Sequence, residues 1–215
     1  MNRLIKLVVK NTSQERKSET SCVAIGINGL DCSEKTYLAG KFYDYALKND
    51  YKVGLIHVDD YCDSKVIKDV YTKFKNSFLS SADVNYYYEE CIDTKKLLEA
   101  INRAKDESEI LIIEGIFIFK SFLREMFDFK IYLDVDEEQA FNRFIARKKF
   151  SGYETIFKDV WLAAHKIYCR EVNPKTYADL LITNDFLQPK IQAYNNKMQW
   201  ITKNITSLQN LQALV

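Results

Sequence analysis

The sequence predicts one α/β domain, a five-stranded parallel sheet between two layers of helices. Short apolar runs rich in β-branched residues alternate with longer segments of helical period, the pattern of strands joined by helical crossovers. A chain of 215 residues, 47% hydrophobic, suits a single substantial core. Six glycines and two prolines leave no stretch that reads as a flexible linker.

The elements follow in order. Residues 21–27 (SCVAIGI) form the first strand, and a turn leads to a helix over 35–48. The second strand, 51–58 (YKVGLIHV), ends in acids; 110–113 (ILII), 130–135 (KIYLDV) and 180–183 (LLIT) supply the third to fifth. These runs are nearly continuously apolar, as strands covered on both faces are. Residues 94–104, 137–149 and 153–170 repeat apolar side chains at spacings of three and four, which predicts helices. The core is expected over 20–185. Residues 186–215 form a C-terminal extension in which Asn, Gln and Lys dilute a weak helical pattern near 198–205.

Composition narrows the function. Lys plus Arg (31) nearly balances Asp plus Glu (30), so no strongly basic field exists to hold nucleic acid or an anionic membrane through charge alone. Cys22, Cys32, Cys62, Cys91 and Cys169 are widely spaced and form no CxxC pair, which fits a reducing compartment. The first twenty residues turn polar before a signal peptide's hydrophobic region would be complete, and no run approaches a membrane span. A cytoplasmic location is the expectation, and the Asn-x-Ser/Thr triplets at Asn11 and Asn204 are chance matches.

The chemistry begins at Gly29-Leu30-Asp31-Cys32-Ser33-Glu34-Lys35-Thr36, between the first strand and the first helix. A strand entering such a segment and leaving as a helix is the context of a phosphate-binding loop (P-loop), whose backbone N–H groups converge on an anion. Lys35 would reach the terminal phosphates, and the Thr36 hydroxyl suits Mg²⁺, which takes oxygen ligands. The pattern GxxxxGK[ST] is broken at its second glycine, where Glu34 stands. Two readings of Glu34 stay open. A carboxylate about 4 Å from a phosphate charge, at an effective dielectric of about 20, costs roughly 4 kcal/mol, enough to abolish useful binding. Alternatively, the helix dipole favours an acid in the first turn, and a flexible stem carries the carboxylate into water.

With this loop, the acids His57-Val-Asp59-Asp60-Tyr61 and a strand reading Leu111-Ile-Ile-Glu114-Gly115, the chain resembles the uridine kinase and phosphoribulokinase family of P-loop kinases, most closely bacterial uridine-kinase-like proteins. The resemblance spans about residues 22–185. It implies the P-loop NTPase fold, in three α/β/α layers, and a kinase that uses ATP or GTP with Mg²⁺. By residue, it implies that Asp59 is the base that accepts the proton of a substrate hydroxyl, with Asp60 second, and that Glu114 holds the metal or its water, its alternative being an ion pair with Lys35. It implies also that Arg143 and Arg147 are lid arginines closing on the phosphates. They are four apart on one helical face, and a solvated basic face continued by Lys148 and Lys149 is the alternative.

The acceptor is less specified. Family members acting on nucleosides carry an aromatic-Asp pair that grips the ribose, whereas this chain reads Asn85-Tyr-Tyr-Tyr-Glu-Glu-Cys-Ile-Asp93. Tyr87, with Tyr61, is a candidate for lining an acceptor pocket, against a surface stretch packed on a neighbouring helix. The acceptor implied is a nucleoside or sugar-like alcohol. His57 and His165 have no partner pattern and read as structural. A homo-oligomer is compatible with the sequence, which does not specify one.

Overall fold

The computed structural model describes Ile5, Lys6 and Val8, residues 22–147 and 154–183, and the backbone of residues 190–193. Five parallel strands form the sheet: β1 (Val23–Gly29), β2 (Val53–His57), β3 (Ile110–Gly115), β4 (Phe129–Asp134) and β5 (Leu180–Thr183). A sixth, β6 (Lys190–Ala193), pairs antiparallel with β5, giving the order β2-β3-β1-β4-β5-β6. The sequence reading did not include β6, whose residues KIQA carry little of the β-branched apolar pattern. The free backbone edge of β5 supplies its partners instead.

β1 lies in the centre, buried at all seven positions, with β3 on one side and β4 on the other. The crevice beyond its C-terminal end is therefore a topological switch point, where α/β sheets place ligands. The loop that follows β1 occupies it.

Side chains alternate between the faces of the sheet. On one face, α1 (Lys35–Lys48) packs Leu38, Ala39, Phe42 and Ala46 against Val23, Ile25 and Ile27. Ile5 and Val8 are fully buried in the same cluster, so the core reaches beyond the expected boundary at residue 20. On the other face lie α2 (Ser64–Lys75), α3 (Ser81–Glu90), α4 (Thr94–Glu107), α5 (Glu137–Ala146) and α6 (Ala163–Val172), burying Val70, Tyr87, Leu97, Ile101, Phe144 and Tyr168 against Leu111, Ile113 and Tyr132.

α1 keeps the predicted bounds, whereas α2 and α3 lie in segments to which no element was assigned. Both have local start signals. Asp63 caps α2 by accepting from Lys65 N and Val66 N, and Ser80 with Asp83 forms a capping box on α3. Asp93 and Asp136 cap α4 and α5 in the same way. The tyrosine run falls on α3. Tyr87 and Tyr88 are buried and only Tyr86 faces solvent, so the run is mostly core rather than surface.

The helix expected from residue 153 is interrupted. A turn at Glu154–Ile156 opens into a π-helical segment, Phe157–Leu162, before α6. The wider winding brings Phe157 and Trp161 onto Phe144 of α5, with ring centroids 5.3 and 5.2 Å apart. The Trp161 indole donates to the Tyr71 hydroxyl (3.1 Å), tying α5 and the π segment to α2. Lys148 and Lys149, the pattern near 198–205 and the triplets at Asn11 and Asn204 lie outside the described residues. Among those described, no helix is long and apolar enough to cross a membrane.

Candidate functional site

The Gly29–Thr36 loop folds as a cradle. A Cβ on Gly29 would come within 2.6 Å of the Leu133 carbonyl and 2.7 Å of Ser33 Oγ, so only glycine fits where the loop leaves the sheet. Behind it, Asn28 is fully buried; it accepts from Gly29 N (2.8 Å) and donates to the Tyr168 hydroxyl, which also accepts from Phe119 N (3.0 Å). Lys35, itself buried, donates to the Leu30 carbonyl at 2.9 Å. Ser33 is fully buried beneath the loop, and Arg143 of α5 donates to the Cys32 carbonyl at 3.2 Å.

Two loop residues have left-handed backbone, Cys32 (φ 62°) and Glu34 (φ 70°). Glu34 therefore adopts the conformation for which the motif uses glycine. A strained, partly exposed acid thus stands at the cap of α1.

Glu114 ends the third strand's apolar run, and register alone brings His57 of β2 beside it. Its Oε1 accepts from the Thr36 hydroxyl at 3.0 Å and from His57 Nδ1 at 2.7 Å. Lys35, the partner that the alternative reading gave to Glu114, turns its ammonium to the Leu30 carbonyl instead. Gly115 is required next to it, because a Cβ there would meet Val58 Cβ at 2.4 Å.

Val58 opens a 3₁₀ turn, Val58–Tyr61, that carries Asp59 and Asp60, both exposed. Asp31 links this turn to the loop. Burial pushes its carboxyl up to about 6, against the pull of Lys35 and Arg147 and with the push of Asp59 and Glu114. The loop lysine, Asp59, Glu114 and the exposed Arg147 are thus all within electrostatic reach of Asp31. Tyr87 lies in the core on α3; burial holds its hydroxyl well above the usual range, and Cys91, Asp31, Tyr71 and Cys62 add to that shift. Tyr61 lines a cavity of about 390 Å³ at the sheet edge with Ile56, Ala100 and Arg103.

His165 is neutral, its pKa pushed down to about 3 by burial and by the Lys35 and Lys175 charges. Its Nε2 meets the Tyr132 hydroxyl (3.2 Å) and Cys169 Sγ (3.3 Å). With Leu30, Asp134, Lys175 and Thr183 it lines a cavity of about 470 Å³ beside the loop. Among the described residues no cluster of three or more His, Cys, Asp or Glu is arranged to hold a metal. The hard-oxygen pair Thr36 and Glu114 still fits Mg²⁺, which takes one or two protein oxygens together with phosphate and water.

Asn28, His57, Tyr71 and Tyr168 were not among the sequence candidates. Nothing in their local sequence marks them, since each partner lies far along the chain.

The fold is that of known kinases. A possible uridine kinase from Bacillus stearothermophilus is similar at a TM-score of 0.58 and 21% identity, over 82% of this chain and 96% of that one. The phosphoribulokinase from Rhodobacter spheroides is similar at a TM-score of 0.61 and 13% identity, over 89% and 87%. No curated protein matches the sequence. The model of the "Phosphoribulokinase / Uridine kinase family" matches residues 68–185, beginning beyond both the loop and Asp59. That match covers more than half of the chain, which therefore belongs to the phosphoribulokinase/uridine kinase family of P-loop kinases.

Proposed function

We propose that the chain is a Mg²⁺-dependent kinase that transfers the γ-phosphate of ATP or GTP to the hydroxyl of a small nucleoside-like or sugar-like alcohol. One observation carries the reading most: the Gly29–Thr36 loop keeps its cradle, with Lys35 drawn back onto Leu30, although Glu34 occupies the glycine position. The loop amides and Lys35 would hold the β and γ phosphates, and the cavity beside Leu30 gives room for the donor's nucleoside. Thr36 and Glu114 would hold Mg²⁺, which neutralises charge on the phosphates when bound.

Asp59 is the base in this reading. Its carboxylate takes the acceptor's proton, the acceptor oxygen forms the new bond to phosphorus, and the bridging oxygen leaves on the nucleoside diphosphate with the electron pair. Arg147 closes over the transferring group, while Arg143 braces the loop through Cys32. Tyr87, buried on α3, is the candidate for the acceptor's side of the site, while Tyr61 lines the cavity at the sheet edge. The enzyme would work as a single cytoplasmic domain, without nucleic acid or membrane. Asp59→Asn should lower transfer by about 10²–10⁴-fold while Mg-ATP still binds. An unchanged rate with the true acceptor would remove Asp59 from the role.

A second reading, a kinase fold that binds without turnover, rests on Glu34. Calorimetry separates the two: binding of Mg-ATP by the wild type favours the enzyme, and binding that appears only in Glu34→Gly favours the silent fold.

A further inference from the structure

We infer that His57 is a positioning residue for the metal carboxylate, holding Glu114 so that it presents one oxygen to the phosphate site. The inference rests on the Mg²⁺ role proposed for Glu114. Three observations carry it. The His57 and Glu114 side chains lie on adjacent parallel strands at the same register. The His57 Nδ1 to Glu114 Oε1 contact is 2.7 Å, and since a carboxylate only accepts, Nδ1 carries the proton. Both described partners of the carboxylate, Thr36 Oγ1 at 3.0 Å and His57, fall on that same Oε1.

The asymmetry matters. The Glu114 side chain is 5% exposed, so its oxygens depend on protein donors rather than on water. The Thr36 hydroxyl has one proton to give and keeps its lone pairs for a cation, so it ties the carboxylate at a single point and leaves its rotation to a second donor. His57, 34% exposed on the edge strand, supplies the second anchor from outside the phosphate site. It fixes the carboxylate's rotation without needing to touch nucleotide or acceptor, as outer partners of metal ligands do.

The test compares His57→Phe, which keeps a ring of similar size and removes the donor, with His57→Asn, whose amide can stand where Nδ1 does. Calorimetry with ATP, once with Mg²⁺ and once with EDTA, gives the factor by which the ion strengthens nucleotide binding. Thermal melting of each apo variant reports folding. His57→Phe is expected to cut the Mg²⁺ factor by about tenfold with little change in EDTA, and His57→Asn to restore it to within about threefold. A wild-type Mg²⁺ factor that persists in His57→Phe overturns the inference and leaves the proposed function standing. Equal losses in both variants, with and without the ion, make His57 merely structural. A wild type that gains nothing from Mg²⁺ overturns the proposed function, and the positioning role with it.

Discussion

Replacing Glu34 by glycine and by glutamine separates two costs that the loop carries at one position. The first is backbone strain. At φ 70° and ψ 26°, a residue other than glycine costs on the order of 1–2 kcal/mol. Glycine gives back roughly 0.5–1 kcal/mol through its freer unfolded chain. Glu34→Gly should therefore gain about 1 kcal/mol or less, about 2–4 °C in Tm for a chain of this size. The second cost is charge, which Glu34→Gln removes while keeping the strain. At about 4 Å and a dielectric of about 20, the repulsion with one phosphate is about 4 kcal/mol, a thousandfold in affinity; through water at about 6 Å it is about 0.7 kcal/mol, or threefold. Glu34 is only partly buried, so its carboxylate is reached by water and the smaller figure applies. Titration calorimetry should give Mg-ATP binding about threefold tighter in both variants, with the gain shrinking as salt is added. A gain above a hundredfold in Glu34→Gln that survives salt would refute the water-facing carboxylate. A lower Tm in Glu34→Gly would refute the strain argument.

Asp31 makes stability fall with rising pH. Its folded pKa of about 6 lies above the unfolded 3.8, so the contribution is fully present below pH 3.8 and lost as pH rises through 6, at most about 3 kcal/mol. Asp31→Asn should flatten the Tm against pH curve between about 4 and 6.5 relative to wild type, and parallel curves would contradict this. Tyr168→Phe strands two buried donors, Asn28 Nδ2 and Phe119 N, and should lower stability by about 2–4 kcal/mol in urea unfolding. A loss under about 0.5 kcal/mol would show that the network does not brace the loop. Arg143→Ala removes the donor to the Cys32 carbonyl and should weaken Mg-ATP binding about tenfold, read by calorimetry at unchanged Tm. Equal affinities would make Arg143 a surface cation only.

What could be read in the sequence was local. The five parallel strands declare themselves because helices cover the sheet, completely at β1 and β3 and less so at the edge strand β2, leaving short apolar runs that little polar alternation interrupts. The loop from Gly29 to Thr36 and the start of α1 are consecutive residues, and Asp59 and Glu114 stand at strand ends that the same runs mark. The helices α2 and α3 were missed although their starts are signalled by Asp63 and the Ser80–Asp83 box, and although Val66, Ile67, Val70, Tyr71 and Phe74 recur at helical spacing on α2; on α3 the polar residues around Val84, Tyr87 and Tyr88 blur the period.

The strand order, and with it every partnership between distant residues, belongs to the tertiary structure. His57 reads as an isolated histidine until β2 pairs with β3 and sets it against Glu114, 57 residues away. Asn28 and Tyr168 are 140 residues apart, yet their bond helps to secure the underside of the loop. The sequence alone determined that a loop of phosphate-binding pattern follows the first strand, because a turn of backbone amides is built from neighbours. Which groups surround that loop, and how Glu114 is held, was decided by sheet register and helix packing, which bring together atoms that no local pattern connects.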